Sequence, residues 1–167
     1  MLKLVGMIFI IGACSAVGLK AGRRLTLRIE ALNEWISALE IMRAEITMKR
    51  TPLGEIITLL EARQGLLAPV FTLMREESQK NFFTAAWKHA LALSCELGLT
   101  EEDAAHLRSL GATLGRYDAE EQDTAIRYCK KRLEHALGMA ISDRESKGRA
   151  YRGMGVALGV IFVLVII

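Results

Sequence analysis

Uncharged apolar runs occupy both ends of the chain, and a mostly polar segment of more than a hundred residues separates them. The runs cover residues 4–19 and 153–167. At a rise of about 1.5 Å per residue, helices of these lengths measure roughly 24 and 22 Å, somewhat less than a hydrocarbon core of roughly 30 Å. Snorkelling side chains or a locally thinner bilayer would let each helix cross. We therefore expect an N-terminal transmembrane helix in residues 1–21 and a C-terminal one in residues 153–167.

Basic residues border both runs on the side that faces the middle of the chain, whereas only Lys3 precedes the first run. The positive-inside rule then predicts that residues 22–152 form a cytoplasmic domain and that both termini lie across the cell membrane from it. Cationic and aromatic side chains at such positions anchor helices at the level of the lipid headgroups. The predicted membrane-interface residues are Arg23, Arg24, Arg28, Lys147, Arg149, Tyr151 and Arg152.

The middle segment has helical periodicity along most of its length. Between residues 25 and 46, apolar positions recur every three or four residues, which predicts a long amphipathic helix that ends near Arg50. Thr51 followed by Pro52 is typical of an N-cap and the first position of a helix, which predicts the start of a second helix. Ala68 followed by Pro69 indicates the start of a third helix. Gly98 is expected to end a fourth helix.

Two further helix starts are indicated by sequences close to a capping box, which begin at Thr100 and Asp118. Gly111 and Gly115 are expected to bracket the turn between these last two helices. Alternation with period two and hairpin turn sequences are missing from the sequence, so a sheet has little support. The prediction is an all-α bundle of about six helices whose first and last helices reach the membrane.

Charge and candidate chemistry narrow the function. The formal net charge is only +3, and the basic clusters lie next to the apolar runs, so nucleic acid is not an expected partner. Cys14, Cys95 and Cys129 have no spacing typical of a disulfide or zinc framework, and no histidine stands at metal-ligand spacing. Phosphate-loop and nucleophile-elbow motifs are also missing from the sequence. We expect a protein that is not an enzyme, with no cofactor, no metal and no catalytic residue.

Several segments, taken in order, resemble one protein family. They are Leu39-Glu40-Ile41-Met42-Arg43-Ala44-Glu45-Ile46, Thr51-Pro52-Leu53, Ala85-Ala86-Trp87, Asp118 with Gln122, and Tyr151-Arg152-Gly153-Met154-Gly155-Val156. Their order and the chain length resemble the stage III sporulation protein AB family of endospore-forming bacteria, and the resemblance spans the whole chain. One departure is that Arg43 stands where the family more often has a glutamate, so no role can be carried over for that carboxylate.

The resemblance implies a non-enzymatic platform in the mother-cell membrane around the forespore, within a secretion-like channel complex. The family's helical domain is similar to the cytoplasmic domains of inner-membrane platform proteins of type II secretion and type IV pilus machines. The implied partners are the ATPase, stage III sporulation protein AA, and the other sporulation III A channel proteins. We expect a partner to bind where the first helix turns into the second and where the last helix begins, at Glu45, Thr51, Pro52, Leu53, Asp118, Glu121 and Gln122.

Local structural roles and two other functions remain open at this stage. Thr51 and Asp118 could serve only as helix caps, and Glu45 could simply pair with Lys49. A membrane-anchored adaptor could self-associate through the heptad positions between residues 25 and 46 without any motor. An exported lipoprotein could instead be anchored at Cys14, which follows a short apolar stretch.

Overall fold

The computed structural model describes the backbone of residues 2–166 and the side chains of residues 23–146. Within this backbone the chain forms six α-helices and no strand, which confirms the all-α prediction. The helices are α1 (Leu2–Ala44), α2 (Leu53–Glu61), α3 (Ala68–Ser78), α4 (Phe83–Glu96), α5 (Glu101–Thr113) and α6 (Ala119–Ile166). A π-helical turn, Glu45–Lys49, continues α1 toward α2.

In the part of the chain with described side chains, no helix is both long enough and apolar enough to cross a membrane. The two apolar runs at residues 4–19 and 153–167 lie outside that part. The two transmembrane helices therefore stay predictions.

Helix α1 and helix α6 form the most extensive helix pair in the bundle, and they run antiparallel. Lys130 Nζ lies 2.5 Å from Glu40 Oε1, and Arg43 Nε lies 2.6 Å from Asp123 Oδ1. The end of α1 near Ala44 is consequently beside the beginning of α6, and residues 23 and 146 lie toward the opposite end of the bundle. At about 1.5 Å per residue, roughly 30 Å of α1 separates the two ends.

The apolar stripe of α1 forms the centre of the core. Leu32 and Leu39 are fully buried and Ile46 is nearly so, each at a heptad position. Between them, Trp35 packs edge-on against Phe71 and Trp87, at ring-centroid distances of 5.5 and 5.7 Å. Burial inside one bundle removes these positions from the surface. These positions are therefore intramolecular core, and self-association in the adaptor hypothesis would need another surface.

Two of the predicted helix starts have the capping contacts expected. Thr100 Oγ1 accepts a hydrogen bond from the Asp103 N–H at 3.2 Å, and Asp103 accepts one from the Thr100 N–H at 3.1 Å, which completes a capping box. Asp118 Oδ1 accepts from the Glu121 N–H at 2.8 Å. Thr51 differs, because α2 begins at Leu53 and the Thr51 hydroxyl bonds to Glu45 instead of capping a helix.

Gly111 corrects another expectation, because it lies within α5 and not in the turn after it. A Cβ built on Gly111 would be 2.2 Å from Cδ1 of Trp87, so no larger residue fits there without a shift. The Trp87 indole N–H donates to the Leu107 carbonyl at 2.8 Å, which fixes the ring over α5. Gly115 does lie in the turn, at a φ of +74°.

Candidate functional site

The corner between α1 and α2 is organised by Glu45, the buried first residue of the π-helical turn. Lys49 Nζ donates to Glu45 Oε1 at 2.6 Å, and Thr51 Oγ1 donates to Glu45 Oε2 at 2.7 Å. These hydrogen bonds hold the pKa of the Glu45 carboxyl below its usual value, against the opposing effect of desolvation. The pairing of Glu45 with Lys49 is thus confirmed, and Glu45 also determines the course of the chain into α2.

Arg50 completes the corner in a left-handed backbone conformation, with φ 55° and ψ 36°. In the described part of the chain it is the one non-glycine residue with a positive φ. This conformation costs an L-residue roughly 1–2 kcal/mol. The Arg50 and Thr51 N–H groups both point to the Glu45 carbonyl, with the Thr51 bond at 3.1 Å, so the backbone bonds of the corner offset part of that cost.

The turn between α5 and α6 is fixed by Gln122 on the first turns of α6. Its Oε1 accepts from the Gly115 N–H at 3.2 Å, and its Nε2 donates to the Tyr117 carbonyl at 2.7 Å. Asp118 caps α6 from within the same turn. The side chain amide therefore uses both of its polar ends to hold the turn in one shape.

The corner and the turn come together to form an open groove of about 540 Å³. A Cβ on Gly115 would be 2.8 Å from Cδ1 of Leu53, which shows how closely the two segments approach. Next to the lining, Met48 and Tyr117 are exposed apolar side chains, at 84% and 55% exposure. The residues that line the groove are Ile46, Arg50, Thr51, Pro52, Leu53, Gly115, Asp118, Ala119 and Gln122.

The carboxylates at the start of α6 differ in whether they are paired with a cation. The exposed side chains of Glu120 and Glu121 make no ion pair among residues 23–146, and neither does Asp118. One turn further along α6, Asp123 is bound by both Arg43 and Arg127, at 2.6 and 2.8 Å. The start of α6, from its cap Asp118 to Glu121, therefore presents three carboxylates to solvent beside a mostly apolar groove.

The structure brings most of the predicted partner-binding residues to this one place. Five of them line the groove, namely Thr51, Pro52, Leu53, Asp118 and Gln122. Glu45 lies behind the lining and holds the corner, while Glu121 is exposed on the first turn of α6. Three further lining residues, Ile46, Arg50 and Ala119, lie within the two predicted segments but were not singled out. Gly115 was expected only as a turn residue.

The predicted membrane-interface residues have different environments. Arg23 and Arg24 are exposed and are the first residues of α1 whose side chains are described. The Arg28 side chain is partly buried, because its guanidinium binds Asp103 within the bundle, and its assignment to the interface stays a prediction. The remaining four lie outside the residues with described side chains: Lys147, Arg149, Tyr151 and Arg152.

The titratable side chains of residues 23–146 are the candidate metal ligands and nucleophiles. Among residues 23–146, no group of histidine, cysteine, aspartate or glutamate is placed to hold a metal ion. Burial raises the pKa of the Cys129 thiol to about 12, and burial is also the main cause that raises the pKa of Cys95. Both thiols are therefore almost entirely protonated at neutral pH. What the groove provides is a mostly apolar cleft, with the Arg50 guanidinium on its α1 side and carboxylates at the start of α6.

Comparisons with known proteins identify the family. The family model of stage III sporulation protein AB matches residues 3–167. Stage III sporulation protein AB of Bacillus subtilis (strain 168) is 27% identical over 172 residues, and the match covers 99% of each chain. A solved structure of stage III sporulation protein AB is similar in fold, with a TM-score of 0.66 and 21% identity over 72% of this chain and 98% of that one. The whole-chain match shows that the chain belongs to the stage III sporulation protein AB family, as the sequence resemblance predicted.

Proposed function

We propose that the chain is a non-enzymatic membrane platform of a sporulation-specific, secretion-like channel complex, and that its groove docks a partner ATPase. Membership of the family supports a role in sporulation. The proposed location is the mother-cell membrane around the forespore, with residues 22–152 in the cytoplasm. The proposed partners are stage III sporulation protein AA, as the ATPase, and the other sporulation III A channel proteins.

The observation that carries this proposal is that two predicted binding segments, far apart in the sequence, meet in one groove. The groove lies where α1 ends and α6 begins, whereas both helices lead toward the predicted transmembrane segments at their other ends. If those segments span the bilayer, the groove is on the side of the bundle away from the membrane. That side is the one a cytoplasmic ATPase could reach.

The chemistry of the groove indicates what kind of segment would bind there. An apolar side chain on the partner would fill the space between Leu53 and Ala119, and basic residues beside it would face Glu120 and Glu121. Because α1 and α6 continue from the bundle without a break, a displacement of the bundle would pass along them without crossing a flexible loop. This arrangement suits a protein whose energy comes from a partner.

Binding of the full-length chain, held in lipid nanodiscs, to the purified ATPase tests the proposal. We expect the double change Glu120→Lys and Glu121→Lys to weaken binding about tenfold, since each exposed charge pair contributes up to about 1 kcal/mol. The matched control is Glu30→Lys with Glu96→Lys, two exposed carboxylates outside the groove lining, which should bind like wild type. Failure of the wild-type chain to bind, or an equal loss in both variants, would refute docking at this groove.

A further inference from the structure

We propose that Arg28, Asp103 and Gly98 form a clamp that transmits displacement from the groove end of the bundle to α1. We call these three residues the α1 clamp. The proposal rests on the platform function proposed above, because it identifies the contact through which a platform would pass motion to its N-terminal helix. Neither the sequence pattern nor the family match assigns this role.

The first part of the α1 clamp is a two-pronged ion pair between α1 and α5. Arg28 Nε lies 2.9 Å from Asp103 Oδ2, and Arg28 Nη2 lies 3.0 Å from Asp103 Oδ1. The Asp103 side chain is only 2% exposed and that of Arg28 is 17% exposed. Burial alone would raise the pKa of Asp103, but hydrogen bonds from Arg28 and Thr100 outweigh it and lower the pKa. Two parallel bonds between planar groups fix orientation as well as distance.

The second part is a direct contact between backbones at Gly98, in the loop that joins α4 to α5. A Cβ on Gly98 would be 2.9 Å from the carbonyl carbon of Leu27 and 3.0 Å from the Arg28 nitrogen. Gly98 also has a φ of +132°, which other residues rarely adopt. The loop therefore lies against the α1 backbone with no side chain between them. Hydrogen bonds and backbone contact together hold α1 at Leu27 and Arg28.

Helix α5 connects the α1 clamp to the groove. Asp103 lies in its first turn, and its last residue, Thr113, leads directly into the turn at Gly115 that lines the groove. The helix has 13 residues, which is roughly 20 Å at about 1.5 Å per residue. Trp87 holds α5 laterally through its bond to the Leu107 carbonyl. A partner that displaces the groove wall would push on one end of α5, and the other end is bonded to α1.

A purely stabilising ion pair provides the comparison. Arg75 on α3 also binds a carboxylate through two nitrogens, with Glu61 on α2 at 2.5 and 3.2 Å. That pair joins two helices of the body and does not contact α1. The Glu61 side chain is more exposed than that of Asp103, at 23% against 2%, so the unfolding temperature of each variant is measured as well. If the α1 clamp acted only through stability, spore counts should follow the loss of stability in both variants. If it transmits displacement, only the Arg28 variant should lose function while the groove still binds.

The test compares Arg28→Lys with Arg75→Lys in the full-length chain, because lysine keeps the charge but loses the fork geometry. In nanodiscs, we expect amide hydrogen exchange of residues 23–30 to become about tenfold faster in Arg28→Lys only. Binding of the purified ATPase should stay within about twofold of wild type in both variants. Heat-resistant spore counts should fall in cells that carry Arg28→Lys and stay normal with Arg75→Lys.

A second variant, Gly98→Ala, loosens the same contact without changing any charge, and it should reproduce the pattern of Arg28→Lys. Normal spore counts despite faster exchange in residues 23–30 would overturn the α1 clamp. So would a loss of ATPase binding in parallel with the loss of spores, since the role would then be structural. Failure of the wild-type chain to bind the ATPase refutes the platform proposal instead, so the two failures are distinguishable.

Discussion

Gly111→Ala is the substitution for which the structure gives the clearest steric consequence. The added methyl would lie 2.2 Å from Cδ1 and 2.4 Å from Nε1 of Trp87, whereas ordinary contacts begin at 3.4 Å. The indole ring must therefore move by about 1 Å or more within a packed core. Such a movement pulls the indole N–H away from the Leu107 carbonyl, to which it now donates at 2.8 Å.

The cost follows from three contributions. Overpacking in a close-packed interior costs about 1–3 kcal/mol, and a buried donor left without an acceptor costs about 1–3 kcal/mol. Alanine returns about 1 kcal/mol through its better helix propensity. The net expectation is a loss of about 3 kcal/mol, or roughly 6–12 °C in the unfolding temperature of a chain of this size.

Tryptophan fluorescence during thermal unfolding of the full-length chain in detergent micelles measures this effect directly. The chain has two tryptophans, and both belong to the affected cluster, with ring centroids 5.7 Å apart. Gly138→Ala is the matched control, since a Cβ there meets nothing within 4 Å and should raise stability by about 0.5–1 kcal/mol. An unfolding temperature for Gly111→Ala equal to that of the wild type or of Gly138→Ala would show that the packing argument is wrong.

Two further predictions concern acid stability and topology. Because folding lowers the pKa of Asp103, its ionised form stabilises the fold above about pH 4, and this contribution disappears as pH falls through the folded pKa. In urea unfolding, the difference in stability between wild type and Asp103→Asn should therefore shrink in acid. A difference in stability that does not depend on pH would contradict this prediction. Topology is tested by replacing Lys20 or Lys147 with cysteine in a chain without its native cysteines. Both cysteines should resist a membrane-impermeant maleimide in intact cells and react with it after permeabilisation. Reaction of both in intact cells would place the bundle outside the cell and favour the lipoprotein hypothesis.

The features predicted correctly from the sequence depend on local chemistry. The capping residues Thr100 and Asp118 act through neighbours within three positions, so their role follows from sequence alone. Apolar periodicity likewise identified the helices and the buried stripe of α1, because burial of one helix face has a direct signature in the order of residues.

The features that the sequence did not predict depend on partners that are distant in the sequence. Gly111 has the sequence of a turn residue, and only the position of Trp87 explains a glycine inside α5. The contact of Arg28 with Asp103 was not predicted either, because the two residues are 75 positions apart. The candidate site shows the same division. Both of its segments were identified separately, but their meeting depends on the antiparallel packing of α1 and α6.

The left-handed conformation of Arg50 could not be predicted from the sequence either. Glycine or asparagine would be typical at a positive φ, and the chain has Arg50 there. Its conformation is determined by the Glu45 carbonyl, which accepts from two successive N–H groups after the π-helical turn. Propensity alone could not predict that corner, because the deciding interactions are made by the backbone.

The pairing of the first helix with the last also determines when this chain can finish folding. Contacts such as Glu40 with Lys130 join residues 90 positions apart, so the bundle cannot close until α6 has been synthesised. At ribosomal rates of about 5–20 residues per second, the stripe of α1 waits roughly 5–20 s for Ile126 and Leu133 to complete the core around it. During that time Leu32 and Leu39 are accessible to chaperones and to other nascent chains. A chain that ends before α6 leaves the α6-facing side of α1 uncovered, and quality control should remove it rapidly.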